Sequence, residues 1–217
     1  MLKGKRILIA AGGTGGHINP ALGTAGYIKE KDPDAEIIFV GTKDKMEARL
    51  VPQAGYELRT IDISGFYRSF SPEAIKHNLG TLSKLLRASS QAKKIIKDFK
   101  PDLVVGFGGY VSGPVLRMAA KMGVPTAIHE QNAFPGVTNK ALAGRVDRVM
   151  LTAKQAEKYM KPKNPCVVTG LPIRGDILRV APDFAKAELQ LGGKPLILSM
   201  GGSLGAKPVN DAVLGMI

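Results

Sequence analysis

Three glycine-rich turns, each placed directly after an apolar run, constrain the fold of this chain more than any other feature. They occupy residues 12–17 (GGTGGH), 106–110 (GFGGY) and 201–205 (GGSLG). Because glycine has no side chain, such a turn can bring backbone N–H groups and a helix N-terminus against an anion, most often a phosphate. Three of them predict a large polyanionic ligand.

Short β-rich runs alternate with helical patterns along the chain, which is typical of a parallel sheet covered by helices on both faces. The predicted strands are residues 6–11, 36–41, 59–64, 102–106, 126–130, 148–152, 166–170 and 195–200. Helical patterns begin near Pro20, Asp44, Pro72, Ser112, Thr138, Ala153 and Asp183. The sequence therefore predicts an α/β fold with a doubly wound, Rossmann-like parallel sheet.

A proline and a glycine interrupt this alternation in residues 171–176 (LPIRGD), which makes this segment the best candidate for a domain boundary. We expect residues 1–172 to form one domain, and residues 173–217 to hold a link and the start of a second. The second segment is shorter than a doubly wound domain requires, and the chain stops within an apolar helical pattern. The second domain is therefore expected to be incomplete.

The composition indicates the class of partner. A net charge of +13 and a pI near 9.9 favour nucleic acid, an anionic membrane surface or a phosphorylated substrate, and a solvated basic surface is the remaining alternative. The single cysteine, Cys166, excludes an internal disulfide framework and suits a reducing compartment. No signal peptide and no run of about 18 apolar residues is found, so we expect no export and at most a peripheral membrane contact.

Two common phosphate-binding motifs are excluded. A dinucleotide-binding domain needs G-x-G-x-x-G and an acid near the end of the second strand. Here Gly15 is followed by Gly16, His17 and Ile18, and the second strand ends in VGT (40–42). Neither the first nor the third turn supplies the lysine pattern of a nucleotide-hydrolysing P-loop. The sequence therefore argues against a nicotinamide or flavin cofactor and against nucleotide hydrolysis.

A set of longer motifs carries a specific resemblance. In chain order they are residues 12–22 (GGTGGHINPAL), 108–114 (GGYVSGP), 129–132 (HEQN), 135–140 (PGVTNK) and 201–206 (GGSLGA). Together they closely resemble the MurG family of bacterial N-acetylglucosaminyltransferases, which convert lipid I to lipid II in peptidoglycan synthesis. The resemblance covers essentially the whole chain, and Leu171 stands where the family usually has asparagine.

The resemblance implies a GT-B fold, in which two Rossmann-like domains face each other across a cleft. The first domain would bind the lipid-linked acceptor and the second mainly UDP-N-acetylglucosamine. The implied reaction is an inverting transfer of GlcNAc to the 4-hydroxyl of MurNAc, without a cofactor, at the cytoplasmic face of the cell membrane. The segments that read the uracil and ribose in the family would lie beyond Ile217, so the chain alone is expected to be inactive.

Two residues are candidates for the catalytic base. His17 follows the first glycine turn, and a histidine has the pKa range to accept a proton from a sugar hydroxyl near neutral pH. Capping of the following helix or a hydrogen bond to phosphate is an equally weighted alternative for His17. Glu130 ends a predicted strand at the edge where open α/β sheets bind ligands, and it is the second candidate.

The remaining candidates are predicted to bind substrate. Anionic groups of the substrate are predicted to bind at two places. The first turn would contribute Thr14, Gly15 and Gly16, and the second would contribute Gly108, Gly109, Tyr110 and Ser112. By resemblance Asn132 would contact the sugar nucleotide, while Asn139 would cap a helix or touch ligand. Arg174 in the link and Ser203 in the third turn would bind phosphate, with a surface arginine and an N-cap serine as alternatives. No metal-binding motif stands near the turns, and no metal is expected.

A membrane contact is predicted for residues 64–70 (SGFYRSF) and the basic helical segment 72–100 that follows. Aromatic rings such as Phe66 and Phe70 beside a cationic helix suit the headgroup region of an anionic bilayer. The core face of that helix is assigned to Leu79, Leu82, Leu85, Leu86, Ile95 and Ile96. Solvated charge remains the alternative.

Two function classes therefore stand side by side. The first is the glycosyltransferase, with UDP-N-acetylglucosamine, lipid I and a membrane surface as partners. The second is a non-catalytic module that binds a lipid diphosphate or an anionic membrane but transfers no sugar alone. A nucleic-acid partner is not expected, because the sequence lacks an aromatic stacking platform or a recognition-helix signature.

Overall fold

The computed structural model describes residues 4–65, 72–201 and 206–216, and at residues 72–83 and 178 it describes the backbone alone. The chain divides into two compact units, Met1–Arg174 and Gly175–Ile217. The predicted contact residues Phe66 and Phe70, the third glycine turn from residue 202 onward, and with it Ser203, lie outside the described residues.

The first unit alternates strands and helices. Its strands are β1 (Arg6–Ala10), β2 (Glu36–Gly41), β3 (Glu57–Thr60), β4 (Leu103–Gly106), β5 (Thr126–Glu130), β6 (Arg148–Leu151) and β7 (Val167–Val168). Its helices are α1 (Gly15–Lys31), α2 (Met46–Gln53), α3 (Pro72–Phe99), α4 (Gly109–Lys121), α5 (Val137–Ala143) and a 3-10 helix (Lys154–Tyr159).

All seven strands pair in parallel, in the order β3-β2-β1-β4-β5-β6-β7. The direction of the winding reverses between β1 and β4. In an open α/β sheet this switch point opens a crevice at the carboxyl ends of the strands, and ligands bind there. The predicted doubly wound parallel sheet is confirmed.

Alternate residues of each strand pack into two cores, one on each face of the sheet. Leu8 and Ala10 belong to the core that α3, α4 and α5 cover. Ile7 and Ile9 belong to the core under α1 and α2. Because side chains alternate across a strand, an uninterrupted apolar run such as β1 buries both of its faces. The helices that begin at the β1–β4 switch point, α1 and α4, therefore approach it from opposite faces.

Two strand predictions are wrong in place or in kind. The third strand covers Glu57–Thr60 rather than residues 59–64, because Thr60 pairs with Gly41, the last residue of β2. Beyond that pair the neighbouring strand offers only one further bond, from the Ile61 N–H to the Gly41 carbonyl. Residues 195–200, predicted as a strand, have no regular structure, and Ile197 is 85% exposed.

The core face predicted for the long helix α3 is confirmed at Ile96 and, half-buried, at Ile95, but it is wrong at Leu86. The core face of α3 in the described part consists of Ala88, Ala92, Ile96 and Phe99, spaced three or four residues apart. Leu86, predicted to be in the core, is 72% exposed because it lies on the opposite side of the helix.

The second unit contains α6 (Gly175–Leu178), α7 (Pro182–Glu188) and α8 (Lys207–Leu214). Neither α7 nor α8 buries a residue. Within the described stretches 175–201 and 206–216 there is no strand.

Candidate active site

Two glycine loops meet at the β1–β4 switch point. Loop 1 (residues 11–16) follows β1 and leads into α1, and loop 2 (residues 107–110) follows β4 and leads into α4. An ideal Cβ at Gly109 would lie 2.4 Å from the carbonyl oxygen of Gly12, a distance that real side chains do not reach. Gly109 also has φ +74, which side-chain-bearing residues rarely adopt. Glycine therefore permits the direct contact between the loops.

Both loops present helix N-termini to the crevice. Thr14 is the N-cap of α1 and Gly108 that of α4, and neither makes a side-chain capping bond. The first N–H groups of a helix have no partner inside it, and they carry the positive end of the helix dipole. No acidic residue occupies the first turn of either helix. The predicted anion-binding residues Thr14, Gly15, Gly16, Gly108 and Gly109 thus come together in one place.

His17 lies in the first turn of α1, over loop 2. Its Nδ1 atom is 3.1 Å from the carbonyl oxygen of Gly12 and 3.2 Å from the hydroxyl of Thr14. Because a carbonyl can only accept, the bond to Gly12 requires a proton on Nδ1. A Cβ at Gly108 would lie 3.1 Å from Nε2, so this edge of the ring packs on Gly108. In the neutral ring Nε2 then carries the lone pair.

Burial lowers the pKa of His17 below its ordinary value of 6.5, and three neighbours oppose the fall. They are the hydrogen bond to Gly12 and the negative charges of Glu130 and Glu47. The lowered pKa keeps the imidazole neutral at neutral pH. A neutral imidazole with a free Nε2 can accept a proton.

Glu130, the second predicted base, is buried, and both of its carboxylate oxygens accept hydrogen bonds. Oε1 accepts from the backbone and side-chain nitrogens of Asn132, at 2.9 and 3.0 Å. Oε2 accepts from the Gly136 N–H at 3.1 Å and from Asn139 Nδ2 at 2.9 Å. These bonds hold the turn between β5 and α5 in shape, so the geometry favours a supporting role for Glu130.

The two predicted asparagines differ in exposure. Asn132 is exposed, and its amide nitrogen bonds Glu130. Asn139 is 2% exposed, and its Nδ2 donates to Glu130 and to the carbonyl of His129. A Cβ at Gly108 would lie 3.6 Å from Asn139 Nδ2, so this side chain also reaches loop 2.

His129 is the second histidine beside the site. Its Nε2 lies 2.9 Å from the carbonyl of Gly170, and its Nδ1 lies 3.2 Å from the amide nitrogen of Gln131. These partners require the proton on Nε2, the opposite tautomer to that of His17. Burial lowers the pKa of His129, and the bond to Gly170 and the charge of Glu130 oppose the shift.

Ser112 and Tyr110 take different positions in α4. Ser112 is fully buried, and its hydroxyl lies 2.9 Å from the Ala10 carbonyl and 2.7 Å from that of Gly108. It therefore ties the ends of β1 and loop 2 together and does not face the crevice. Tyr110 packs near Gly13 and lines a cavity of about 820 Å³ with residues 42–45 and 60–65. Burial raises the pKa of Tyr110.

Arg174 is the last residue of the first unit. The backbone of residues 173 and 174 passes over Gly23 of α1, where a Cβ would lie 2.9 Å from the carbonyl carbon of Ile173. The contact of Arg174 with phosphate remains a prediction, and so does that of Ser203.

Glu47 is a site residue that the sequence reasoning missed. It lies in the first turn of α2 and is fully buried. It accepts hydrogen bonds from the Gly13 N–H and from the N–H and hydroxyl of Thr42. The only sequence signal was an acid five residues after Thr42, which does not predict a contact with loop 1.

Within residues 4–65, 72–201 and 206–216, no helix combines the length and apolarity needed to cross a bilayer. The same ranges hold no group of three or more histidine, cysteine or acidic residues with the geometry of a metal site.

Comparison with known proteins gives a consistent set of relatives. The family model of the glycosyltransferase family 28 N-terminal domain matches residues 7–151. A UDP-N-acetylglucosamine–N-acetylmuramyl-(pentapeptide) pyrophosphoryl-undecaprenol N-acetylglucosamine transferase of Acetivibrio thermocellus is 48% identical over 98% of this chain and 57% of its own length. The Lactococcus lactis protein of the same name is 46% identical, over 96% of this chain and 56% of its own. The chain thus spans little more than half of the curated relatives it matches.

Solved structures agree with the sequence relatives. The crystal structure of Acinetobacter baumannii MurG matches with a TM-score of 0.69 and 33% identity, over 95% of this chain and 55% of that one. A co-structure of S. aureus MnaA with UDP matches with a TM-score of 0.57 and 17% identity, over 77% of this chain and 45% of that one. The second likeness concerns the fold alone.

Proposed function

This chain belongs to the glycosyltransferase family 28 N-terminal domain family, and from that premise we propose that it is the acceptor-binding part of an N-acetylglucosaminyltransferase of peptidoglycan synthesis. Loops 1 and 2 bind the diphosphate of lipid I, and the partner domain brings UDP-N-acetylglucosamine. The observation that carries the proposal is the meeting of two helix N-termini beside the Nε2 edge of His17. The names of the relatives supply the donor and acceptor classes.

The proposed reaction is a single displacement with inversion. The 4-hydroxyl oxygen of MurNAc attacks C1 of the GlcNAc group as the bond from C1 to the UDP oxygen breaks. Nε2 of His17 takes the hydroxyl proton, and UDP leaves with the bonding electron pair. Helix N-termini near the lipid diphosphate hold the acceptor in place without a metal.

Two observations support His17 over Glu130 as the base. The proton on Nδ1 leaves Nε2 of the neutral ring able to accept, and burial keeps the ring neutral through its lowered pKa. Both oxygens of Glu130 already accept two hydrogen bonds each. Glu130 then positions Asn132 through the bond from its amide nitrogen, and the amide oxygen of Asn132 contacts the sugar nucleotide.

The proposal includes a peripheral position at the cytoplasmic face of the cell membrane. Helix α3 exposes Leu86 together with Arg87, Lys93, Lys94 and Lys97. A cationic helix face with an exposed apolar side chain suits an anionic bilayer surface. Residues 66–70, the aromatic part of the predicted contact, lie outside the described residues.

A second candidate function is binding without transfer. The chain spans 57% of the Acetivibrio relative, so the rest of that relative's length has no counterpart in these 217 residues. We expect the 217-residue chain alone to bind the acceptor and to transfer no sugar. Turnover by the chain alone would contradict the need for a second domain.

A chimera tests the proposed function. Residues 1–174 replace the matching segment of the Acetivibrio relative, and transfer of radiolabelled GlcNAc from UDP-GlcNAc to a lipid I analogue is measured. We expect the chimera to make the lipid II analogue and its His17→Gln variant to make little. The Asn132→Ala variant should raise KM for UDP-GlcNAc. A chimera whose unfolding temperature equals that of the relative, but which transfers no GlcNAc, would contradict the assignment.

A further inference from the structure

We propose that Glu47 is the positioning residue of this site, and that it acts on His17 through the single peptide group joining Gly12 to Gly13. The inference rests on the proposed role of His17 as the base. It adds a buried carboxylate from α2 to the residues that prepare the imidazole.

The carboxylate of Glu47 is held by three donors. Oε1 accepts from the Thr42 N–H at 3.0 Å and from the Thr42 hydroxyl at 2.8 Å. Oε2 accepts from the Gly13 N–H at 3.0 Å. A buried carboxylate is costly unless hydrogen bonds replace its lost water, and these three bonds do so. Glu47 is therefore fixed in place, with one oxygen assigned to loop 1.

Two glycines make room for this carboxylate. A Cβ at Gly12 would lie 2.8 Å from Glu47 Oε1, and a Cβ at Gly41 would lie 2.5 Å from Glu47 Cγ. Neither glycine has a positive φ, so the backbone conformation does not require glycine at these positions. At Gly41 the space is taken first by Glu47, and at Gly12 it is taken by Glu47 together with Val111, whose Cγ2 also lies at 2.8 Å. The carboxylate therefore fits closely against the ends of two neighbouring strands, β1 and β2.

One planar peptide group connects Glu47 to His17. In a trans peptide the C=O of one residue and the N–H of the next point in opposite directions. The Gly13 N–H donates to Glu47, and the Gly12 carbonyl accepts from His17 Nδ1 at 3.1 Å. The carboxylate and the imidazole therefore hold the two ends of the same peptide group.

This arrangement has two consequences for His17. Gly13 has φ +92 and no side chain, so its peptide group could turn, and the bond to Glu47 prevents that. An anion bonded to the N–H also polarises the peptide and makes its carbonyl oxygen a stronger acceptor. Both effects keep the proton on Nδ1 and leave Nε2 free. A carboxylate orients the imidazole of a hydrolase triad in a comparable way, but by direct contact.

The charges around His17 are consistent with this role. Glu47 faces it from α2 and Glu130 from β5, and both raise the pKa of His17 against the lowering effect of burial. From α4, Tyr110 lies close to Glu47, and burial followed by the charge of Glu47 raises its pKa. Tyr110 is therefore uncharged over the range in which His17 titrates.

The first test is made on the wild-type 217-residue chain by long-range ¹H–¹⁵N NMR of the imidazole rings. The chain has three histidines, His17, His77 and His129, so Gln variants at each position assign the signals. Above its pKa, His17 should carry its proton on Nδ1, while His129 should carry it on Nε2. A neutral His17 with its proton on Nε2 would overturn the proposal without any variant at residue 47.

The second test uses variants of Glu47. Glu47→Gln keeps the shape but puts an amide where the charge was, so the pKa of His17 should fall further and its tautomers should mix. Glu47→Asp keeps the charge but not the reach to Gly13, so it should mix the tautomers with a smaller fall in pKa. Unchanged tautomer and pKa in folded Glu47→Gln protein would overturn the proposal.

Thr42→Val is the matched control. It removes a hydrogen bond to Oε1 of the same carboxylate but leaves the bond between Oε2 and Gly13, so His17 should keep the wild-type tautomer. An equal change in Thr42→Val and Glu47→Gln would indicate general loosening and refute the relay. The NMR samples contain neither the sugar-nucleotide donor nor the lipid acceptor. A negative result in these tests therefore speaks against the role of Glu47 alone, whereas an inactive chimera speaks against the transferase proposal.

Discussion

The contact between the two glycine loops predicts a specific cost for Gly109→Ala. Gly109 has φ +74, and its added Cβ would lie 2.4 Å from the Gly12 carbonyl oxygen. Gly123 has nearly the same φ, +75, but no atom within 4 Å of its ideal Cβ. The two glycines therefore share the cost that a positive φ imposes on a side chain, and only Gly109 adds a clash.

The magnitudes follow from these two contributions. A left-handed conformation costs a non-glycine residue about 1–2 kcal/mol, and this is the whole expected loss for Gly123→Ala. Forcing an extra carbon against backbone costs about 1–3 kcal/mol more, because a carbonyl inside a hydrogen-bonded loop cannot rotate away as a side chain can. Gly109→Ala should therefore destabilise the protein by about 2–5 kcal/mol in total.

Urea unfolding at 25 °C, followed by circular dichroism, measures both losses, and thermal unfolding provides a second reading. For a chain of this size each kcal/mol shifts Tm by about 2–4 °C. If Gly109→Ala is no more destabilising than Gly123→Ala, the loops do not touch and the site description fails. A change in the urea m-value would instead indicate that the variant no longer unfolds in one step.

Three further predictions concern His17 as the catalytic base, the loss of stability at acid pH, and the basic helix α3. In the chimera, His17→Gln should lower kcat by about 100-fold or more, as expected for loss of a general base, and an unchanged kcat would remove His17 from that role. The backbone and hydroxyl bonds from Thr126 lower the pKa of Asp147, so its stabilising contribution is present above its unfolded pKa and lost as pH falls through the folded one. Asp147→Asn should therefore destabilise at pH 7 and lose its effect at acid pH, and an equal loss at both would contradict this. Arg87→Glu with Lys94→Glu should abolish low-salt co-sedimentation with anionic vesicles, whereas wild-type protein left in the supernatant would refute the membrane contact.

Much of the fold follows from local pattern. The apolar runs of β1, β2, β4 and β5 are long enough, and flanked clearly enough, that their alternation with helices predicted a parallel sheet. The glycine turns then placed His17 and loop 2 at one edge, because the carboxyl ends of parallel strands share that edge. The features that could be predicted are therefore those that local sequence determines, namely the strands, the helices and the glycine turns between them.

The features that escaped prediction depend on distant partners. Helix α1 begins at Gly15 rather than at Pro20, because a glycine loop with no side-chain cap gives no start signal. Residues 195–200 have the composition of a strand, but the described part of the second unit holds no strand with which they could pair. Glu47 meets Gly13 across 34 residues, and only the pairing of β1 with β2 brings them together.

The crevice between the two loops can form only after β1 and β4 have paired during folding. This pairing joins segments about a hundred residues apart, as the bond from the Arg6 N–H to Asp102 illustrates, and such distant parallel pairing is slow to form. The crevice therefore exists only in the folded unit, and an anion that bridges both loops binds the native state alone. At 100 times its Kd such a ligand would stabilise that state by about 2.7 kcal/mol. Acceptor analogues can consequently be ranked by the rise in unfolding temperature that they cause, with no sugar transferred.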